Sequence, residues 1–172
     1  MSKSTISTFE LFRMFPDQES ARVYFEARRW PDGATCPACG EAKRIGVRKG
    51  GFYRCNACLL DFTIRTGTIF ERSKVPLHKW IYAMYLLVTA RKGISSLQLA
   101  KEIGITQKSA WFVLHRLREA CGAVMKRGLS RYVDEFAFRL NDGNVKRHTM
   151  ERLESFVSGT KGKRLTYKAL IQ

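Results

Sequence analysis

Four cysteines fall into two C-x-x-C pairs, Cys36-Pro-Ala-Cys39 and Cys55-Asn-Ala-Cys58, with fifteen residues between the pairs. A C-x-x-C turn lets two thiolates face one ion at about 2.3 Å, and four thiolates complete a closed tetrahedron. Residue type and spacing therefore predict a zinc site made by Cys36, Cys39, Cys55 and Cys58. Four unrelated buried cysteines rarely fall into two such pairs. A redox C-x-x-C needs a single pair in a βαβ frame, and this chain has a second pair and no such frame. With no fifth ligand in the motif, the zinc is expected to be structural, without an open position for substrate. Cys121 stands alone and reads as a buried or idle thiol.

The elements that must position the four thiols are legible on both sides. Arg44–Arg48 and Phe52–Arg54 flank Lys49-Gly50-Gly51, and glycines accept the positive φ that tight hairpin turns need. Asp61–Phe70 could add a third strand, which makes residues 31–70 a zinc ribbon. Before it, residues 1–30 carry two short helical patterns around Pro16. Phe9, Phe12 and Phe15 recur at three-residue spacing, and Val23, Tyr24 and Ala27 follow with helical spacing. The fold class expected is therefore a small α+β protein in several parts.

A second constellation lies in residues 75–120. Pro76 suits the first turn of a helix and Gly93 suits its far end. Between them Leu77, Trp80, Ile81, Met84, Leu87 and Val88 form a broad apolar face. Ser95-Ser-Leu-Gln98 reads as a capping box, and the helix it opens runs through Leu97, Leu99, Ala100 and Ile103 to a break at Gly104. Thr106 can cap the next helix, which turns Ala110, Val113, Leu114 and Leu117 inward. A small residue four positions before the break permits the close crossing of a helix-turn-helix. In that frame Thr106, Gln107, Lys108 and Ser109 open the second helix, where base edges are read, and Arg116 and Arg118 suit phosphates. A plain helical hairpin with a solvated face is the competing reading.

Charge favours nucleic acid. The chain of 172 residues carries 31 Lys and Arg against 15 Asp and Glu, a net charge of +16. Such an excess suits a polyanion, because Lys and Arg displace counterions condensed on phosphate. No helix pattern has a uniformly basic polar face and no apolar run reaches about 18 residues, so a membrane partner is not expected. The N-terminal residues lack the layout of a secretory signal, and a cytoplasmic location is the expectation. There thiols stay reduced, in keeping with metal binding over disulfides.

Several segments taken together resemble the insertion-sequence transposases that begin with a zinc ribbon and continue into an RNase-H-like DDE catalytic domain. The matching residues are Phe15-Pro-Asp, Arg29-Trp30-Pro-Asp-Gly33, both C-x-x-C pairs, Thr66-Gly-Thr-Ile-Phe70, Pro76-Leu-His-Lys-Trp80, Lys92-Gly-Ile-Ser95, and Ser109-Ala-Trp-Phe112 with Arg116 and Arg118. They span residues 9 to 120. The tail, 131–172, resembles the far end of the same family through Arg131-Tyr-Val-Asp-Glu-Phe-Ala-Phe-Arg139, Leu140-Asn141 and Leu165-Thr-Tyr-Lys168. It includes a helical pattern over Tyr132–Leu140, then a polar region, then Leu165–Ile171. In the family a whole catalytic domain separates these blocks, whereas here only residues 121–130 do. A sheet with packed helices does not fit in that span. The resemblance thus implies an internal deletion with its joint at 121–130.

The family clamps two divalent ions with carboxylates from separate strands and a helix, for in-line attack on phosphodiesters. The segments bearing them are missing, so no catalytic residue is carried over and no catalytic magnesium site is expected. Asp134, Glu135 and Asp142 read as solvated charges or ion-pair partners. The resemblance implies a DNA-binding protein at the terminal repeats of an insertion element, nucleoid-associated in a prokaryote and able to hinder an intact transposase of the family. Two alternatives stay open: an active transposase using other carboxylates or a partner chain, and a zinc-ribbon regulator that contacts proteins.

Overall fold

Helices α1 (Thr8–Met14) and α2 (Gln18–Arg29) form on either side of Pro16 in the computed structural model, which describes residues 5–90, 93–125, 133, 135, 137, 138, 146–160 and 162. Each helix opens on a reciprocal cap. Ser7 Oγ accepts from the Glu10 amide while the Glu10 carboxylate accepts from the Ser7 amide, and Asp17 and Ser20 repeat the exchange. Such caps satisfy amides that the first turn leaves unpaired. Leu11, Phe15, Ala21 and Phe25 are buried. Phe9, Phe12 and Val23, expected on the apolar faces, are instead exposed, and so is Ala27. The pair Leu11 and Phe15, four apart, sets the inner face of α1, and the 100° step per residue carries Phe9 and Phe12 away from it.

Strands β1 (Ile45–Arg48), β2 (Phe52–Cys55) and β3 (Asp61–Thr63) form an antiparallel sheet in that order. Ile45 pairs with Cys55, Arg48 with Phe52, and Phe52 with Thr63. Gly50 and Gly51 turn the hairpin at φ 72° and 75°, which a side chain would resist. The third strand is shorter than expected. Beyond Thr63 the carbonyls of Ile64, Thr66, Ile69 and Glu71 accept from arginine side chains, and those of Arg65, Thr68 and Phe70 from turn amides.

Helix α3 (Leu77–Thr89) is the hub, with Leu77, Trp80, Ile81, Ala83, Met84, Tyr85, Leu87 and Val88 buried. Pro76 is its N-cap residue, one position before the expected first turn, and the helix closes at Ala90, short of Gly93. Helix α4 (Ser96–Ile103) starts where Ser95 Oγ accepts from the Gln98 amide, and it ends on Gly104 in the left-handed region at φ 60°. Lys79 Nζ donates to the Gly104 carbonyl at 3.2 Å. Leu99, Ala100 and Ile103 face inward, but Leu97, expected with them, is 53% exposed. Helix α5 (Gln107–Met125) buries Ala110, Val113, Leu114, Leu117 and Cys121.

A sixth helix, α6 (Thr149–Ser158), occupies the region read as polar. Its Leu153, Phe156 and Val157 recur at three and four residues and pack into the core against α2, α3 and α5. The fully buried Arg152 donates to the Val88 carbonyl at 2.5 Å and to Thr149 Oγ1 at 3.1 Å. Of the expected Tyr132–Leu140 helix, Val133, Glu135, Ala137 and Phe138 are helical, and the rest lies outside the described residues, as does Leu165–Ile171. Phe138 meets Phe156 edge-on at 5.1 Å. One apolar cluster draws on all six helices. A smaller one holds Cys36, Cys55 and Phe62, and Trp30 touches both. The chain is thus a small α+β protein: among the described residues, helices α1 to α6, the helical residues near Phe138 and one three-stranded sheet.

Candidate metal centre and nucleic-acid interface

Each C-x-x-C pair is folded by its own backbone before any ion is considered. The Cys36 amide donates to the Glu41 carbonyl at 2.9 Å and the Gly40 amide to the Cys36 carbonyl at 3.0 Å. In the second pair the Cys55 amide, at the end of β2, donates to the Leu60 carbonyl at 2.9 Å. The hairpin then lays one turn beside the other. Cys36 Sγ lies 3.6 Å from Cys58 Sγ, Cys39 Sγ lies 3.6 Å from Cys55 Sγ, and all four sulfurs lie within 4.8 Å of one another. A tetrahedron with bonds of about 2.3 Å has edges of about 3.8 Å, so this donor set fits zinc.

Backbone amides are aimed at the sulfurs, as thiolates require. The Glu41 amide points at Cys39, those of Cys58 and Ala57 at Cys55, and that of Leu60 at Cys58. At Cys55 the Cys58 amide prevails over burial and holds the thiol down at about 7. At Cys39 the Glu41 amide pulls the same way, but contact with Cys58, burial and the sulfurs of Cys55 and Cys36 outweigh it and push the thiol up to about 12. Sulfurs this close cannot all carry charge without a cation between them, and a divalent ion would relieve that repulsion. Cys121 is remote from this cluster in role, buried in the helical core.

Aromatic residues fix the ribbon to the helices. Trp30, which ends α2, meets Tyr53 at 5.3 Å and Phe62 at 5.8 Å, both edge-on. The Arg29 guanidinium lies 4.9 Å from the Trp30 ring centroid. Arg29 also begins a pattern that the sequence did not disclose. The backbone from Ile64 to Val75, which links ribbon to helices, is held through six carbonyls by three arginines from three places. Arg29 on α2 donates to Ile64 and Thr66 at 2.6 and 2.7 Å. Arg116 on α5 donates to Ile69 and Glu71 at 2.8 and 3.0 Å. Arg65, inside the segment, donates to Ser73 and Val75 at 2.9 and 3.0 Å. Burial lowers the pKa of each of these guanidiniums, yet arginine stays charged in proteins.

That pattern corrects part of the expected interface. Arg116 is turned toward the connecting backbone. Arg118 is buried and pairs with Glu135 at 2.5 Å. Both guanidiniums thus engage the protein's own groups, whereas position on a recognition helix suggested a phosphate contact for each. The other four residues lie together at the start of α5. Thr106 Oγ1 accepts from the Ser109 amide at 3.2 Å and lies 2.9 Å from Ser109 Oγ, which closes the cap. Gln107 and Lys108 are exposed on the first turn. Of Asp134, Glu135 and Asp142, Glu135 pairs with Arg118, while Asp134 and Asp142 lie outside the described residues. No helix among the described residues is long and apolar enough to cross a membrane.

A closed four-thiolate site held by a three-stranded antiparallel sheet defines a zinc ribbon. Residues 16–60 match the family described as the transposase zinc-ribbon domain. The match begins at Pro16, so it takes in α2 along with the ribbon that α2 carries on Trp30. These residues are therefore a zinc ribbon of the transposase type. The chain is similar to an uncharacterized protein in transposable element ISH50 of Halobacterium salinarum, at 35% identity over 116 residues, which cover 64% of this chain and 38% of that protein. The chain thus spans well under half the length of this relative. No solved structure matches it.

Proposed function

We propose that the chain is a zinc-dependent DNA-binding protein that recognises the ends of an insertion element through α4 and α5, and that it does not itself transfer strands. The observation that carries this reading is the exposed first turn of α5. Gln107 and Lys108 stand clear there, on a helix start fixed by the cap between Thr106 and Ser109. A recognition helix meets base edges with this part of its surface. The zinc ribbon of transposase type beside it, and the excess of positive charge, favour the same partner.

Two features support the absence of strand transfer. Helix α5 runs on to Met125, so half of the 121–130 joint is a continuation of the recognition helix. Glu135, a candidate metal ligand together with Asp134 and Asp142, is committed to Arg118 in the interior. The chain would then occupy terminal repeats without processing them and compete with an intact transposase of the family, in the nucleoid of a prokaryotic cytoplasm.

The test is binding of purified protein to DNA from the flanks of its gene, with and without magnesium. Selective retention of those ends is expected, with base preference relaxed by Gln107→Ala or Lys108→Ala. No binding at any salt concentration would favour a protein-contacting adaptor. Magnesium-dependent cleavage would restore the active-transposase reading.

A further inference from the structure

Among the described residues, two that are not glycine adopt positive φ, Leu59 at 61° and Arg72 at 57°. Leu59 belongs to the turn after Cys58, where the metal turn accounts for it. Arg72 lies in the connection between ribbon and helices. The left-handed region crowds the Cβ of an L-residue, so such a conformation persists only where the surroundings over-determine it. They do so here: Arg116 holds the carbonyl of Glu71 on one side, and Arg65 holds that of Ser73 on the other.

The conformation sets an exposed guanidinium between two clefts. A cavity of about 250 Å³ lies against the start of α5, lined by Arg72, Ser73, Lys74, Trp80, Ser109 and Phe112 among others. A second, of about 330 Å³, lies against the ribbon hairpin at Gly50, Gly51 and Phe52, and Arg72 and Ser73 line it too. Arg72 and Lys74 are exposed. Neither side chain has a hydrogen bond or an ion pair among the described residues, in contrast to the three arginines that pin the same segment. In the wall of the first cavity, Trp80 is buried and its Nε1–H meets no acceptor among the described residues.

We propose that Arg72, with Lys74 beside it, binds a DNA backbone phosphate where the cavity at the first turn of α5 adjoins the one at the hairpin. This inference rests on the DNA-binding reading above and adds the residue that grips the backbone there. A strained exposed arginine, flanked by a second cation and lying next to a recognition turn, suits an anion that follows the duplex. A phosphate contact fixes register and carries no base preference.

The experiment compares the full-length zinc-loaded wild type with Arg72→Gly, Arg72→Lys and Arg13→Ala, measuring affinity for a short mixed-sequence duplex across a salt series. Glycine keeps the left-handed backbone and removes the cation, so Arg72→Gly should melt no lower than wild type. Its slope of log affinity against log salt should fall by about 0.9, and its affinity should drop about ten-fold at low salt. Arg72→Lys should keep the slope. Arg13→Ala removes an equal charge from the exposed face of α1 and should change the slope much less. A wild-type slope in Arg72→Gly, or an equal fall in Arg13→Ala, would overturn this proposal and leave DNA binding standing. Absence of duplex binding by the wild type would overturn both.

Discussion

Replacing Arg116 with Met keeps the aliphatic stem and removes the guanidinium, which separates two accounts of this residue. On the surface of a recognition helix an arginine is a phosphate contact. In this structure its Nη1 donates to the carbonyls of Ile69 at 2.8 Å and Glu71 at 3.0 Å, from a half-buried position. A hydrogen bond from a charged donor contributes about 1.5–3 kcal/mol, and an acceptor left unpaired in a buried place costs a similar amount. Water can reach part of this site, so the lower end applies to each bond, and the pair comes to about 3 kcal/mol. For a chain of this size that corresponds to a fall in Tm of about 6–12 °C. Equilibrium unfolding in urea, followed by circular dichroism on zinc-loaded protein, should show the lower midpoint with an unchanged m-value. The salt dependence of DNA binding should stay at the wild-type slope under conditions where the variant is folded. A variant as stable as wild type whose salt slope falls by about 1 would refute the reasoning and return Arg116 to the DNA interface.

The metal centre should hold one zinc per chain, and Cys55→Ser should release it and unfold the ribbon, as metal analysis of the purified variant will report. Zinc affinity should fall on acidification, because binding requires thiolates and releases protons: Cys55, held at about 7, re-protonates as pH drops through that value, and Cys39, pushed up to about 12, must lose a proton to bind at any neutral pH. A chelator competition giving the same affinity at pH 6 and pH 8 would contradict this. Glu135→Ala should destabilise by about 3 kcal/mol by removing one partner of its buried ion pair with Arg118, and the double change Arg118→Met with Glu135→Leu should recover most of that loss in a urea titration.

The four-cysteine cluster was legible because metal geometry constrains residue type and spacing together, and one local hairpin brings the two pairs side by side. The hairpin was legible for a similar local reason, since Gly50 and Gly51 mark the turn. The buried face of α3 could be read from its helical period, as could that of α5. The apolar faces of α1, α2 and α4 were less clear, because Phe9, Val23 and Leu97 are apolar residues that the folded chain leaves in water. Helix α6 was missed although Leu153, Phe156 and Val157 carry the right spacing; six charged or hydroxyl residues around them dilute the pattern. The destinations of Arg29, Arg65, Arg116 and Arg118 could not be read, because a guanidinium aimed at a distant carbonyl or carboxylate leaves no mark on local periodicity. Net charge counts all of these cations as if they faced a partner.

The three arginines that hold residues 64–75 also bear on how far the ribbon can be treated as a transferable module. Excising residues 31–70 as a cassette would leave Arg29 on one side of the cut and Arg116 on the other. The Ile64, Thr66 and Ile69 carbonyls inside the piece would lose their donors, and Trp30 would no longer cover Tyr53 and Phe62. A graft that starts at Pro16 keeps Arg29 and Trp30 but still lacks Arg116. Chimaeras that exchange ribbons between related chains would therefore need to carry α2 and match the arginine on α5, so recombination in this architecture is limited by where the guanidiniums originate and not by where the cysteines lie.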